Sequence, residues 1–164
     1  MAPPLAPSPF ASEPQTGDRI LVFRLPWLAL ILTGQKTVEV RGAAYKSGSY
    51  YLGQVCNALR RAVSVVDRHR MFVCACMCVR MTFDLSGTGG MIYAQAHLGR
   101  PLRVESLRDF KRHESKHRVF TNDLPYKKTY LIPILTLKKM IKKPYVHPRG
   151  AIGIVKYVPP NVSV

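Results

Sequence analysis

Apolar and polar positions along this chain alternate mostly with the period of strands, and only two stretches carry helical spacing. Arg19 to Arg24 reads as a first strand, apolar on both faces and therefore central in a sheet. Pro26 to Thr33 reads as a short apolar helix. Pro26 suits a first helical turn, where its missing N–H costs nothing, and Gly34 suits the position past the helix end, where φ is often positive. After Gly34 the period switches, and Thr37, Val38, Val40 and Arg41 favour a strand. A loop from Ala43 to Gly48 precedes a third strand, Ser49 to Leu52, that ends at Gly53. Met91 to His97 is another strand, broken at Gly99-Arg100-Pro101 and resumed over Leu102 to Val104.

Ser106 starts the second helix. With Asp109 three residues on it forms a capping-box pattern, Asp standing where Glu or Gln is usual. Leu107 and Phe110 make that helix's apolar stripe, with Arg108, Lys111, Arg112 and Lys116 facing water. Asn122 to Pro125 is a turn. Tyr130 to Leu137 is a strand in which Pro133 implies an edge or a bulge. Lys138, Lys139, Lys142 and Lys143 then read as a basic turn, Tyr145 to Gly150 as a loop, and Ala151 to Val158 as the closing strand. Strands outnumber helices, and the helices sit between strands. An α+β chain follows, a small mixed barrel with short flanking helices.

The chain's 164 residues suit a single core. Residues 1–18 carry five prolines and read as a disordered lead; residues 19–158 form the domain, and 159–164 a tail. The lead lacks a secretory n-region, and it has no Arg but contains Glu13 and Asp18, unlike a mitochondrial leader. An intracellular location, cytoplasmic or nuclear, is expected, with an organellar leader of the chloroplast type left open.

Gln54 to Ser86 changes character. It holds all four cysteines, Cys56, Cys74, Cys76 and Cys78, with five arginines. A Cys-x-Cys-x-Cys run lacks the spacing of a zinc site, so no metal is expected, nor any other cofactor. Deleting 54–86 with one glycine joins Tyr50–Gly53 to Thr88–Ala94 as a strand, a glycine-rich turn and a strand. The segment therefore reads as a poorly ordered insert at a hairpin tip. Its borders back-translate to splice-like sequences, so it also reads as a retained intron. A family-specific insertion is the alternative.

Charge narrows the partners. Lys and Arg number 25 against nine Asp and Glu, a net charge of +16. Such a balance favours polyanions. No apolar run is long enough to span a membrane, and no amphipathic Lys-rich helix appears, so nucleic acid is favoured over a membrane.

The candidate chemistry lies in Gly34-Gln35-Lys36-Thr37-Val38-Glu39-Val40-Arg41. On a strand Thr37, Glu39 and Arg41 share a face, and Lys36, at the corner, is free to swing toward it. Three charged groups of both signs would converge there. A solvated strand face with weak ion pairs is the plainer reading of the same residues. The Pro-Trp pair, the short Leu/Ile run and Gly-x-Lys-x-x-Glu-x-Arg together resemble the signature of the ASCH domain (activating signal cointegrator homology), a small β-barrel family related to the PUA RNA-binding domains. The likeness extends over Arg19 to Tyr157 apart from the insert.

That resemblance implies a PUA-like barrel and an RNA or nucleotide ligand. Lys36 and Arg41 would meet phosphate, or Arg41 would stack on a base, and Glu39 would accept from an amino or hydroxyl group. Lys46 and Lys127 add cationic groups beside this surface. Trp27, Tyr45 and Tyr126 are stacking candidates, as is Tyr145, although each also fits a packing role. His147 and Arg149 precede a strand that can face the same cleft. An enzyme is the rival. Some ASCH-like proteins are amidohydrolases acting on modified cytidine, with a threonine nucleophile three residues after the lysine; here that position is Glu39. A hydrolase or ribonuclease built from Lys36, Glu39 and His147 stays open, as does a protein-interaction module in transcriptional coactivation.

Overall fold

The computed structural model describes residues 11–24, 26–55 and 89–160. Most of the expected insert, from residue 56 to 86, lies outside them, as do residues 1–10 and 161–164. Within them a seven-stranded sheet curls into a half-barrel, with a few short helices beside it. The elements in chain order are β1 (Arg19–Phe23), α1 (Trp27–Leu32), β2 (Val38–Arg41), β3 (Gly48–Val55), β4 (Gly89–Leu98), β5 (Leu102–Val104), α2 (Leu107–Arg112), α3 (Glu114–His117), β6 (Thr129–Val146) and β7 (Ile154–Lys156). The strand order is β2-β6-β4-β3-β1-β7, with β5 also on β6. Only the β1–β3 pair is parallel.

β1 is central, as its two-sided apolar pattern requires. Leu21 and Phe23 enter a core with Leu28, Ile31, Tyr50, Leu52, Ala94, Ala96, Leu98 and Ile132. Ile20 turns the other way, into a second cluster with Tyr51, Ile92, Tyr145, Val155 and Tyr157. Side chains alternate across a strand, so one strand feeds both cores. A third cluster, Val38, Val40, Val104, Phe110 and Leu131, packs β2 and β6 against α2. α1 ends as its glycine implies: Thr33 is the C-cap, Gly34 adopts φ 75°, and its N–H reaches the Ile31 carbonyl at 2.9 Å. α2 is capped by Ser106, whose Oγ accepts from the Asp109 N–H at 3.1 Å.

β3 and β4 pair antiparallel from Gly48–Leu98 to Val55–Gly90, so the chain leaves and re-enters one hairpin, as the deletion argument expects. Gln54 and Val55, expected in the insert, belong to β3. A register shift between Ile92 and Ala94 moves Ile92 onto the face of the second core.

Other expectations need correction. The four lysines 138, 139, 142 and 143 form no turn. They lie within the 18-residue β6, where Lys138 pairs with Gln95, Lys139 with Ala94 and Lys143 with Ile92. Among the described residues their part of β6 has β4 as its strand neighbour, and the Lys138, Lys139 and Lys142 side chains are exposed, where lysine keeps its charge in water and discourages further strand pairing. Of the two settings expected for Pro133, an edge or a bulge, the bulge is found: Pro133 lies opposite Val38 on an inner strand, and the register to β4 shifts between Thr136 and Ile134 beside it. The closing strand is only Ile154–Lys156, because Gly153 at φ 89° turns the chain while its carbonyl accepts from Val22.

Residues 11–18, expected to belong to a disordered lead, are tied to the sheet. The Gly17 N–H donates to Tyr157 O and the Tyr157 N–H to Asp18 O, at 2.9 and 2.7 Å. Tyr51 donates to Ser12 O, and Glu13 pairs with Lys143 at 2.5 Å.

Gly90 marks where β4 and β6 pack most closely. A Cβ there would land on the Tyr145 ring, which fills that side of the second core. We expect Gly90→Ala to lower stability by about 1–3 kcal/mol, the cost of overpacking, read as a shifted denaturation midpoint at unchanged m-value.

Candidate functional site

The corner between α1 and β2 turns the motif inward. Lys36 is 2% exposed and Glu39 6%. Lys36 does swing toward Glu39, its Nζ lying 3.3 Å from Oε2, and it donates to the His117 carbonyl at 2.7 Å. The Trp27 ring covers the ammonium at 5.1 Å. Glu39 Oε1 lies 2.8 Å from Arg41 Nε. That approach is an ion pair whose N–H points poorly at the oxygen, so Nε is buried without a well-directed hydrogen bond. A terminal nitrogen of Arg41 donates to the Val22 carbonyl on β1 at 2.9 Å. The Arg41 side chain keeps 18% of its surface exposed and lies near the rings of Phe23, at 5.2 Å, and Tyr45, at 6.0 Å.

Two cations thus share one carboxylate in a largely dry place. Burial pushes the Lys36 ammonium below the usual lysine range, Glu39 pulls it back by charge and hydrogen bond, and Arg41 lowers it further. The solvated-face reading of the motif is excluded for Lys36 and Glu39, which are enclosed by α1, α3 and the sheet.

The other expected site residues divide into two groups. Trp27 and Tyr45 are partly buried beside the triad, and both pack on the main core. Tyr126, exposed at 45%, lies against Gly42, the residue after Arg41. Lys46 and Lys127 are exposed on the loops that carry these aromatics. Arg41, Tyr45 and Tyr126 therefore form one rim. His147 and Arg149 do not join it. They follow the far end of β6, whereas β2 pairs with its beginning. His147 is buried, with Nε2–H donating to Ala151 O at 3.0 Å and Tyr145 Oη at 3.2 Å from Nδ1. Tyr145 is a core residue of the second cluster. The arrangement Lys36, Glu39 and His147 needed for a hydrolase is accordingly not assembled, and Glu39 already serves two cations.

His117 has no counterpart in the sequence reading. It is wholly buried, its ring stacks on Phe110 at 4.2 Å, and its carbonyl anchors Lys36. A histidine 81 positions from Lys36 carries no local signal of that role.

Among the described residues no group of His, Cys, Asp and Glu is arranged to hold a metal, and the Cys74–Cys78 run lies outside them. No helix among them is long and apolar enough to cross a membrane. Comparison with known protein families, with curated proteins and with solved structures finds no match.

Glu39→Gln removes charge and keeps shape, leaving two cations without compensation. We expect a loss of about 3–5 kcal/mol in chemical denaturation, the magnitude for breaking a buried ion pair. A loss under about 0.5 kcal/mol, typical of a surface substitution, would return the triad to the class of surface pairs.

Proposed function

We propose that this chain is an RNA- or nucleotide-binding module of ASCH-like type, with its ligand surface on the rim formed by Arg41, Tyr45 and Tyr126. The observation that carries the reading is the exposure of Arg41. It is the one member of the triad that reaches the surface, it lies beside the rings of Phe23 and Tyr45, and Glu39 and Val22 O fix its orientation. A planar guanidinium held in place offers donors to phosphate or to a base edge and a flat face for stacking. Tyr45 and Tyr126 supply further stacking area, and Lys46 and Lys127 supply charge toward the phosphate backbone.

Lys36 and Glu39 act behind this surface. In this reading they are the support that holds Arg41, because both are closed off from a ligand the size of a nucleotide. The net charge of +16 supports the same class of partner through long-range attraction.

Three features of binding follow. Affinity for single-stranded RNA should fall with salt, with a log–log slope of about −0.7 per phosphate neutralised. Arg41→Ala and Tyr45→Ala should each weaken binding by roughly 1–3 kcal/mol, the range for a stacked or charge-assisted contact, and Lys127→Ala should reduce the salt slope by less than one unit. Fluorescence anisotropy with labelled oligonucleotides across a salt series reads all three. Salt-independent binding, or none at low salt, would remove nucleic acid as the ligand.

A further inference from the structure

His117 stands where three parts of the chain meet, and its ring is held in one protonation state. Phe110 O can only accept, so His117 Nε2, 3.0 Å away, must carry a proton. The Val119 N–H can only donate, so Nδ1, also at 3.0 Å, must be bare. Both ring nitrogens are therefore committed to the neutral Nε2–H tautomer. A proton on Nδ1 would face the Val119 N–H, donor against donor, inside a site with no access to water.

The backbone around this ring fastens the motif corner. The His117 carbonyl takes the Lys36 ammonium at 2.7 Å, the Lys116 carbonyl takes the Thr37 N–H at 2.9 Å, and Arg118 Nε donates to Gln35 O at 3.1 Å. Three successive residues thus grip three successive residues. The grip depends on a tight reversal, since Arg118 is the one non-glycine at positive φ among the described residues, at 58°. A non-glycine held in that region needs its surroundings to impose it. The Val119 bond to the His117 ring spans that reversal.

We propose that His117 is a pH-responsive positioning residue, whose neutral ring locks the 116–118 reversal onto the 35–37 corner and whose protonation releases it. The charged groups around the ring work in this direction. Burial disfavours the imidazolium first, the Phe110 carbonyl favours it, Lys36 at the corner before β2 opposes it, Glu114 on its own helix favours it, and His113 at that helix's N-cap opposes it. The net effect holds the ring below the ordinary histidine range. The unfolded chain takes up the proton first as pH falls. The stabilising contribution is therefore complete above the ordinary value of about 6.5 and declines as pH drops below it. The device is a property of the fold and stands whether or not the Arg41 rim binds RNA.

The test is a residue-resolved titration of the full chain labelled with nitrogen-15, from pH 8 to 5. Long-range proton–nitrogen correlation reports the tautomer and midpoint of His117 apart from the other histidines, and amide exchange reports Thr37 and Val119. The expected result is an Nε2–H tautomer at neutral pH and a midpoint below that of an unperturbed histidine. Thr37 and Val119 should lose protection by roughly tenfold or more through the same midpoint, a local opening rather than global unfolding. His117→Gln should remove that pH step from the Thr37 exchange profile; if it does not fold, the wild-type titration decides alone. An Nδ1–H tautomer, an ordinary midpoint, or a His117 titration that leaves Thr37 protection unchanged overturns the proposal.

Discussion

Burying a carboxylate between two cations imposes demands that the rest of this structure meets. Each charge removed from water must recover its hydrogen bonds elsewhere, and in a short motif few partners are local. Here the surplus donors go to main-chain carbonyls on distant elements. Lys36 reaches the last residue of α3, and Arg41 reaches β1. The triad thereby fastens β2 to a helix on one side and to the central strand on the other. β2 has four residues and, among the described residues, one strand neighbour, so this fastening fixes where it sits. Buried ion pairs are weak contributors to net stability, and their value here lies in specifying one arrangement of α3, β1 and β2.

The same constraint gives the triad an inner and an outer part. Lys36 and Glu39 are spent on the fold, while Arg41 is held by Glu39 and Val22 O with part of its side chain at the surface beside Tyr45. A preoriented cation among aromatic rings loses little freedom on meeting a flat, anionic ligand. Placing the charge on rigid strand and the aromatics on adjoining loops combines precision with access.

Local order was legible where chemistry is local. The Pro-Trp helix, its glycine end, the period change into β2, the two-sided β1 and the Ser106 cap follow from neighbouring residues, and each is found. The swing of Lys36 toward Glu39 was also readable, because a corner residue is not bound to the strand's alternation. The lysines of β6 read equally as a turn or as an exposed strand, since both keep charge in water and only the pairing with β4 tells them apart. Tyr145 reads as a loop residue near the site but belongs to the second core, because β6 runs on past its lysines, and His147 is buried just beyond the strand, between Tyr145 and the Ala151 carbonyl. Residues 11–18 were read from proline content, which bars regular structure but does not bar docking on Tyr51 and Tyr157. His117 gives no local signal of its role, as the bond from its carbonyl to Lys36 joins segments 81 positions apart.

The central claim is that Lys36 and Glu39 act as one buried unit, and a double-mutant cycle tests it most directly. Stability would be measured for the wild type, Lys36→Met, Glu39→Gln and the double variant, with methionine keeping most of the lysine's length and packing. The account predicts that the double variant is destabilised by less than the sum of the two single variants, with a coupling of roughly 1–3 kcal/mol, because each single change strands the other charge. Additive losses, with coupling within about 0.3 kcal/mol of zero, would mean that the two side chains stabilise the fold independently, and would contradict it.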